Sequence, residues 1–325
     1  MNVLAGAVWN ELLKLMLKKR LLAVMVIQTI LFMVVGGFAL AHPNRYIQGN
    51  EWRSIASAEI RALEASSPTL SAIQVASDTN RTAFLHFELV HNASQTLSGL
   101  PGIATSNVSG PIMVIIVVLM VVMGADIVNG ELADGTAKVL LLSQLGRGRI
   151  LLSKSLALIA LGLVISLYWT LFGTVLDVAI YHGNTGDWSQ GVLVGVQARQ
   201  GMVDLARLTV WPIWLYLTVG FSLNLISFSV ASILIVAASA VLRSPVTTSG
   251  TLLVAMVGGV LAQQFFPWTG WRYMPFVNFD LVSHLVGFFP IAGVSLWESL
   301  LVLLGWAVIA GGGATAYFVR RDFGI

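Results

Sequence analysis

Long apolar runs dominate this chain, and polar residues collect between them. Six runs reach the roughly 20 residues that a helix needs to cross a bilayer. They lie near Leu21–Ala41, Pro111–Val128, Ile150–Ile180, Trp211–Val241, Val246–Phe266 and Ser299–Val319. Pro111, Pro212 and Pro245 stand at run starts, where a missing N–H costs nothing. The pattern predicts an all-α integral membrane protein with six transmembrane helices.

Ahead of the first run, Asn10, Glu11, Lys14 and Lys18 fall within an arc of about 100°, with Val8, Leu12, Leu15 and Met16 outside it. Residues 1–20 therefore read as a helix lying on the membrane surface; the plainer reading is the flank of the first span, 21–41. Residues 42–109 read as an extracytoplasmic segment of about two helices, broken at Pro68 and ended near Gly99 and Pro101. It holds three N-x-S/T triplets, at Asn80, Asn92 and Asn107, read as chance matches. Residues 110–325 hold spans two to six, with a polar loop at 129–154 and an aromatic stretch at 267–298. That stretch is too apolar for a solvated loop, yet Pro267, Pro275 and Pro290 cut it below spanning length. A re-entrant or interfacial helical hairpin fits, covered by protein.

Composition agrees with the pattern. The chain of 325 residues is 57% hydrophobic and 10% charged, against roughly 25% charged in soluble domains. A net charge of +3 gives no reason to expect nucleic acid. The absence of cysteine excludes disulfides and thiolate metal sites. No cleavable signal is evident. Eleven of the 18 basic residues fall in the N-terminal segment, the loop after span two, the link after span four and the tail. That bias predicts cytoplasmic termini and places the chain in the plasma membrane.

Catalytic patterns are missing. There is no G-x-x-x-x-G-K-[ST] phosphate loop and no H-E-x-x-H. Ser295 in GVSLW resembles a protease motif, but it precedes the last span. His86 and His91 point about 140° apart on a helix. Asp280 and His284 can share a face, read as a hydrogen-bonded pair rather than a metal site. Charge is too scarce within the spans for a proton-driven transporter. Ser222, Asn224 and Ser227 in span four, with Ser229 and Ser232, either line a substrate path or bond across packed helices.

The loop NGELADGTAKVLLLSQLGRGRILLSK, 129–154, raises a different question. Ala137–Leu145 reads as a short helix, capped by Asp134 or Thr136 and ended by Gly146. Val139, Leu140, Leu141 and Leu142 put apolar bulk all round it. One side can rest on the spans. The other needs a partner or stays wet; the plainer reading is that the helix merely packs back on the bundle.

Glu131, Gly135-Thr136, Leu141-Leu142, Arg149 and Lys154 together resemble the cytoplasmic loop of ABC-2 type transporter permeases. The proline turn usual there is replaced by SQLGRGR. WNELLKLMLKKRLLAV is similar to that family's interfacial elbow helix and first span, and YFVRRDF to its C-terminal end. The resemblance implies an exporter subunit whose loop acts as a coupling helix docked on a separate ATP-binding cassette subunit. Val139, Leu140 and Leu142 would supply the buried contact, and Glu131 and Arg149 would fix the helix ends. ATP and Mg would then sit on the partner, with no cofactor on this chain and no catalysis by it. A second permease, identical or related, would complete the path. Lipid surrounds the spans, and a hydrophobic or amphipathic cargo fits their apolar character. A stand-alone sensor or immunity protein that binds a ligand through 42–109 is the competing expectation.

Overall fold

The computed structural model describes residues 3–17, 19–41, 51–66, 72–94, 97, 102, 105, 108, 111–133, 146–180, 187–196, 198–199, 202–287, 289–291 and 293–320. Its helices are α1 (Val3–Leu17), α2 (Lys19–Ala41), α3 (Glu51–Ser66), α4 (Ala72–Val90), α5 (Pro111–Gly124), α6 (Asn129–Ala133), α7 (Arg147–Ile180) and α8 (Ile213–Val241). They continue with α9 (Pro245–Leu253), α10 (Gly259–Phe265), α11 (Pro275–Asn278), α12 (Ser283–Val286) and α13 (Leu296–Arg320). A π turn, Val254–Gly258, joins α9 to α10.

Five stretches are long and apolar enough to cross a membrane: Ile112–Ala133, Arg147–Val175, Ile213–Val241, Pro245–Phe265 and Leu296–Arg320. In α2, Leu21–Val34 is a shorter apolar stretch. The protein is thus an all-α integral membrane protein. The core lies where α5, α7 and α8 meet: Met120, Met123, Leu158, Leu161, Phe228 and Ile235 are all buried. By contrast, α2 and α13 turn exposed apolar rows outward, such as Leu22, Val26 and Ile30, and Leu301, Leu304 and Val308. Such rows are what a lipid-facing surface requires.

The second span is not one helix. Backbone turns occupy 125–128, between α5 and α6. Buried in the bundle, they need partners for the freed groups. Ser239 of α8 provides them. Its hydroxyl oxygen accepts from Val128 N (3.0 Å) and Asn129 N (3.3 Å) and donates to Ala125 O (3.0 Å). Asn129 Nδ2 then donates to Thr248 Oγ1 of α9 at 2.8 Å.

A small β element was absent from the expected all-α plan. Strands β1 (Ala93–Ser94), β2 (Gly191–Val194) and β5 (Thr209–Pro212) form a sheet in the order β1-β2-β5. The β1–β2 pair is parallel and the β2–β5 pair antiparallel. Strands β3 (Ala198–Arg199) and β4 (Met202–Val203) make a separate hairpin. Asn80 of α4 serves as a strand partner for β4: Nδ2 donates to Val203 O (2.9 Å), and Oδ1 accepts from Val203 N (2.7 Å). The sheet and α4 share a core of Phe84, Ala93, Leu193, Val196 and Leu208. Helices α3 and α4 and strands β1 to β5 thus build one cap, which leads from β5 directly into α8.

Between α10 and α13 the chain makes a 3-10 turn, Thr269–Tyr273, and the two four-residue helices α11 and α12, rather than a pair of longer helices. It packs deep against the bundle: Ser227 Oγ, fourteen residues into α8, donates to Phe279 O at 2.7 Å. At the end of α12, Gly287 has φ 77 and lies so close to Val196 O that no side chain fits there.

Candidate functional site

The charged residues around the 129–154 loop form one closed network. Helix α1 brings Glu11 and Lys14 onto one face, three residues apart. Glu131 projects from α6, and Lys154 lies seven residues into α7. Lys154 Nζ donates to Glu11 Oε2 at 2.9 Å and lies 2.6 Å from Glu131 Oε2. Lys14 Nζ donates to the other oxygens, Glu11 Oε1 at 2.9 Å and Glu131 Oε1 at 2.7 Å. Each carboxylate thus spans both lysines, and the ring carries no net charge. Lys154 is 1% exposed and Glu11 4%. Ions this far from water survive only with such pairing. Burial works against the Lys14 charge, but its bonds to Glu131 and Glu11 outweigh it and hold its pKa above the usual lysine value.

Of that polar arc Glu11 turns into protein, with Leu15 buried beside it, while Asn10 and Lys14 are exposed at its edge and Trp9, Leu13 and Met16 on the other side. A helix with Trp9, Leu13 and Met16 on its outer face suits a neighbour that is lipid, not water.

The network fixes the flanks of the loop. Gly135, Thr136, Val139, Leu140, Leu141 and Leu142 lie outside the described residues. Of the loop residues singled out by sequence, Glu131 sits within the ring. Arg149 is exposed in the first turn of α7, its backbone N–H bonded to Gly146 O at 2.8 Å. Arg147 donates from Nη1 to Val319 O at 2.8 Å, which ties the start of α7 to the end of α13.

The polar residues of α8 divide by face. Asn224 Nδ2 donates to Val108 O (2.9 Å), Ser227 to Phe279 O, and Ser232 Oγ to Ser155 O (2.7 Å). Ser222 is exposed and bonds back to Thr218 O (2.8 Å). The inward set ties α8 to α7, to the turn at Val108 and to the stretch between α11 and α12, as polar groups in apolar surroundings do.

Asp280 takes Ser283, through its N–H at 3.3 Å and its hydroxyl. His284 Nε2 instead meets Ser299 Oγ at 2.9 Å, and Ser299 donates to Asn278 Oδ1 at 2.6 Å. Ser299 is fully buried, so this trio pins the 267–295 segment to the first turn of α13. Among the described residues no three His, Asp or Glu side chains converge on a metal site. A cleft of about 430 Å³ opens between α3 and α4, lined by Glu64, Asp78, Thr79, Thr82 and His86 with apolar neighbours.

Sequence reasoning found the members of the ring but not the ring. The available signal was scarcity: in so apolar a chain, each charge beside a span needs a partner. Ser239 carried no such signal, because one serine in an apolar helix looks like any other.

The uncharacterised protein YhcI of Bacillus subtilis (strain 168) is 28% identical over 210 residues, which cover 62% of this chain and 63% of that protein's length. The family model described as "ABC-2 family transporter protein" matches residues 7–323, from α1 through the cap and loop to the end of the last helix. With five stretches long and apolar enough to span a membrane and a family match over nearly its whole length, the chain belongs to the ABC-2 family of transporter proteins.

Proposed function

We propose that the chain is the membrane-spanning subunit of an ATP-driven exporter, coupled through its 129–154 loop to a separate ATP-binding subunit. The observation that carries this reading is the ring of Glu11, Lys14, Glu131 and Lys154, which ties both flanks of the loop to α1. A push on the loop reaches α1, α6 and α7 together, because separating a buried pair costs about 3–5 kcal/mol. Glu131 holds the base of the loop, and the apolar run Val139 to Leu142 is the surface offered to the partner. Arg149, exposed at the base, is free to face a carboxylate of that partner.

ATP and Mg bind the partner subunit in this reading, since no phosphate-cradling loop occurs here. Two permeases, each with its motor subunit, alternate between inward- and outward-facing states by differential binding. The chain sits in the plasma membrane with both termini cytoplasmic. The cargo is hydrophobic or amphipathic, in keeping with spans so poor in charge. The family match runs through the cap as well, which favours a transporter with an outer cap over a stand-alone ligand sensor.

Co-purification with the co-expressed ATP-binding subunit tests the coupling. Leu141→Asp abolishes assembly and Leu141→Met preserves it; a Leu141→Asp variant that assembles like the parent overturns the proposal. Glu131→Arg is a poor probe, because it breaks the ring as well.

A further inference from the structure

Hydroxyls on the long apolar helices have a standard refuge. Those of Thr29, Thr170, Thr174, Thr218, Ser222 and Ser229 each donate to the carbonyl four residues earlier. Ser166 of α7 does not. It is 2% exposed, and its hydroxyl meets no protein partner among the described residues. Among the groups that share this condition are both amide atoms of Gln28 in α2, 0% exposed, and Nε1 of Trp169 in α7.

The register of α2 against α7 sets these three on one side of the seam, within about one helical turn of each other. Thr29 Oγ1 lies 2.8 Å from Tyr168 Oη, and the rings of Phe32 and Trp169 are 4.3 Å apart. Phe32 also packs on Phe172, so the two helices advance in the same direction. One turn back from the Phe32–Trp169 contact stand Gln28, four residues earlier, and Ser166, three residues earlier. A third wall comes from α5. A Cβ added at Gly162, one turn before Ser166, would stand 2.8 Å from Met120 Sδ. Leu21 and Val24 continue the Gln28 face into the dry core.

We propose that this seam is an internal hydration site, where water bridges the Gln28 amide, the Ser166 hydroxyl and the Trp169 indole. Twelve residues of α7 separate Ser166 from Lys154, so the site lies about 18 Å into the bundle from the charged ring. The guest is uncharged, because no ionised side chain is among the three. It must both donate and accept: Gln28 Oε1 and Ser166 Oγ accept, while Gln28 Nε2 and Trp169 Nε1 donate. Water fits that pattern with two to four partners. Left bare, each group would carry its full desolvation penalty.

Two measurements on the full chain in micelles test this. With glutamine side chains labelled with ¹⁵N, the amide protons of Gln28, assigned by their loss in Gln28→Leu, show cross-relaxation with water. A Gln28 amide silent toward water overturns the proposal. Second, Gln28→Leu and Ser166→Ala each lower the thermal midpoint by about 2–4 °C, and the double variant falls little further than either alone. Single variants that leave the midpoint unchanged or raise it mean a dry seam, and overturn the proposal.

Discussion

Lys154 and Glu131 lie at opposite flanks of the loop, yet their charged atoms are 2.6 Å apart. The two flanks of the loop therefore meet at a single charged point, which α1 closes with Glu11 and Lys14.

Replacing Lys154 by Met leaves two carboxylates facing one lysine, with Glu11 almost fully buried. The expected loss is about 3–5 kcal/mol. Lys14→Met removes a side chain that is 42% exposed, and the expected loss is about 1 kcal/mol or less. Thermal midpoints of the two variants in detergent, compared with the parent, measure the difference. Equal losses would show that the buried lysine is not the centre of the ring.

Ser239→Ala strips the bonds from Val128 N, Asn129 N and Ala125 O at once. A loss of about 2–3 kcal/mol is expected, with faster amide exchange at residues 125–129. Ser229→Ala is the control. Its hydroxyl bonds only to Leu225 O of its own helix, and its removal shifts stability by about 0.5 kcal/mol or less.

Gly195 joins the sheet to α12. It holds φ 82, and its N–H donates to Leu285 O at 2.7 Å. A Cβ there would stand 2.4 Å from Arg207 O. Gly195→Ala thus combines an unfavourable backbone with a clash against main chain. It is expected to cost about 1–3 kcal/mol and to loosen the cap before the bundle, which limited proteolysis of residues 187–212 would reveal.

His284 stacks on Phe289 with ring centroids 3.7 Å apart. Burial pushes its pKa down from 6.5 to about 4, with Glu298 opposing only in part. Between those values the unfolded chain binds a proton that the folded chain does not. Its stabilising contribution is complete above about pH 6.5 and is lost as the pH falls toward 4. The ring is partly exposed, so solvent screening keeps the loss well below the full linkage value. His284→Gln keeps an N–H for Ser299 and removes the titration. The fall in thermal midpoint between about pH 7 and pH 4 should be shallower in that variant.

The amino-acid pattern made some of this legible and hid the rest for physical reasons. The spans were readable because an apolar run of about twenty residues matches the thickness of a bilayer and little else. The break at 125–128 was not, since Ala125, Ile127 and Val128 extend the apolar run and Asp126 reads simply as the water boundary at its end. Strands of two to four residues, such as Ala93–Ser94 and Gly191–Val194, are too short to show alternation. The π turn at Val254–Gly258 leaves no mark beyond paired glycines. Glu11 and Lys14 were visible as a polar arc on α1. Only packing revealed that Glu11 faces Lys154, because distance along the chain hides a contact across 143 residues.

The coupling loop is the point on which the function turns. A photo-cross-linking amino acid at position 140, in the chain co-expressed with its ATP-binding subunit, reads the contact directly. The expected product is an adduct between the two subunits. Adducts confined to the chain itself, with the ATP-binding subunit present and unmodified, would contradict the coupling.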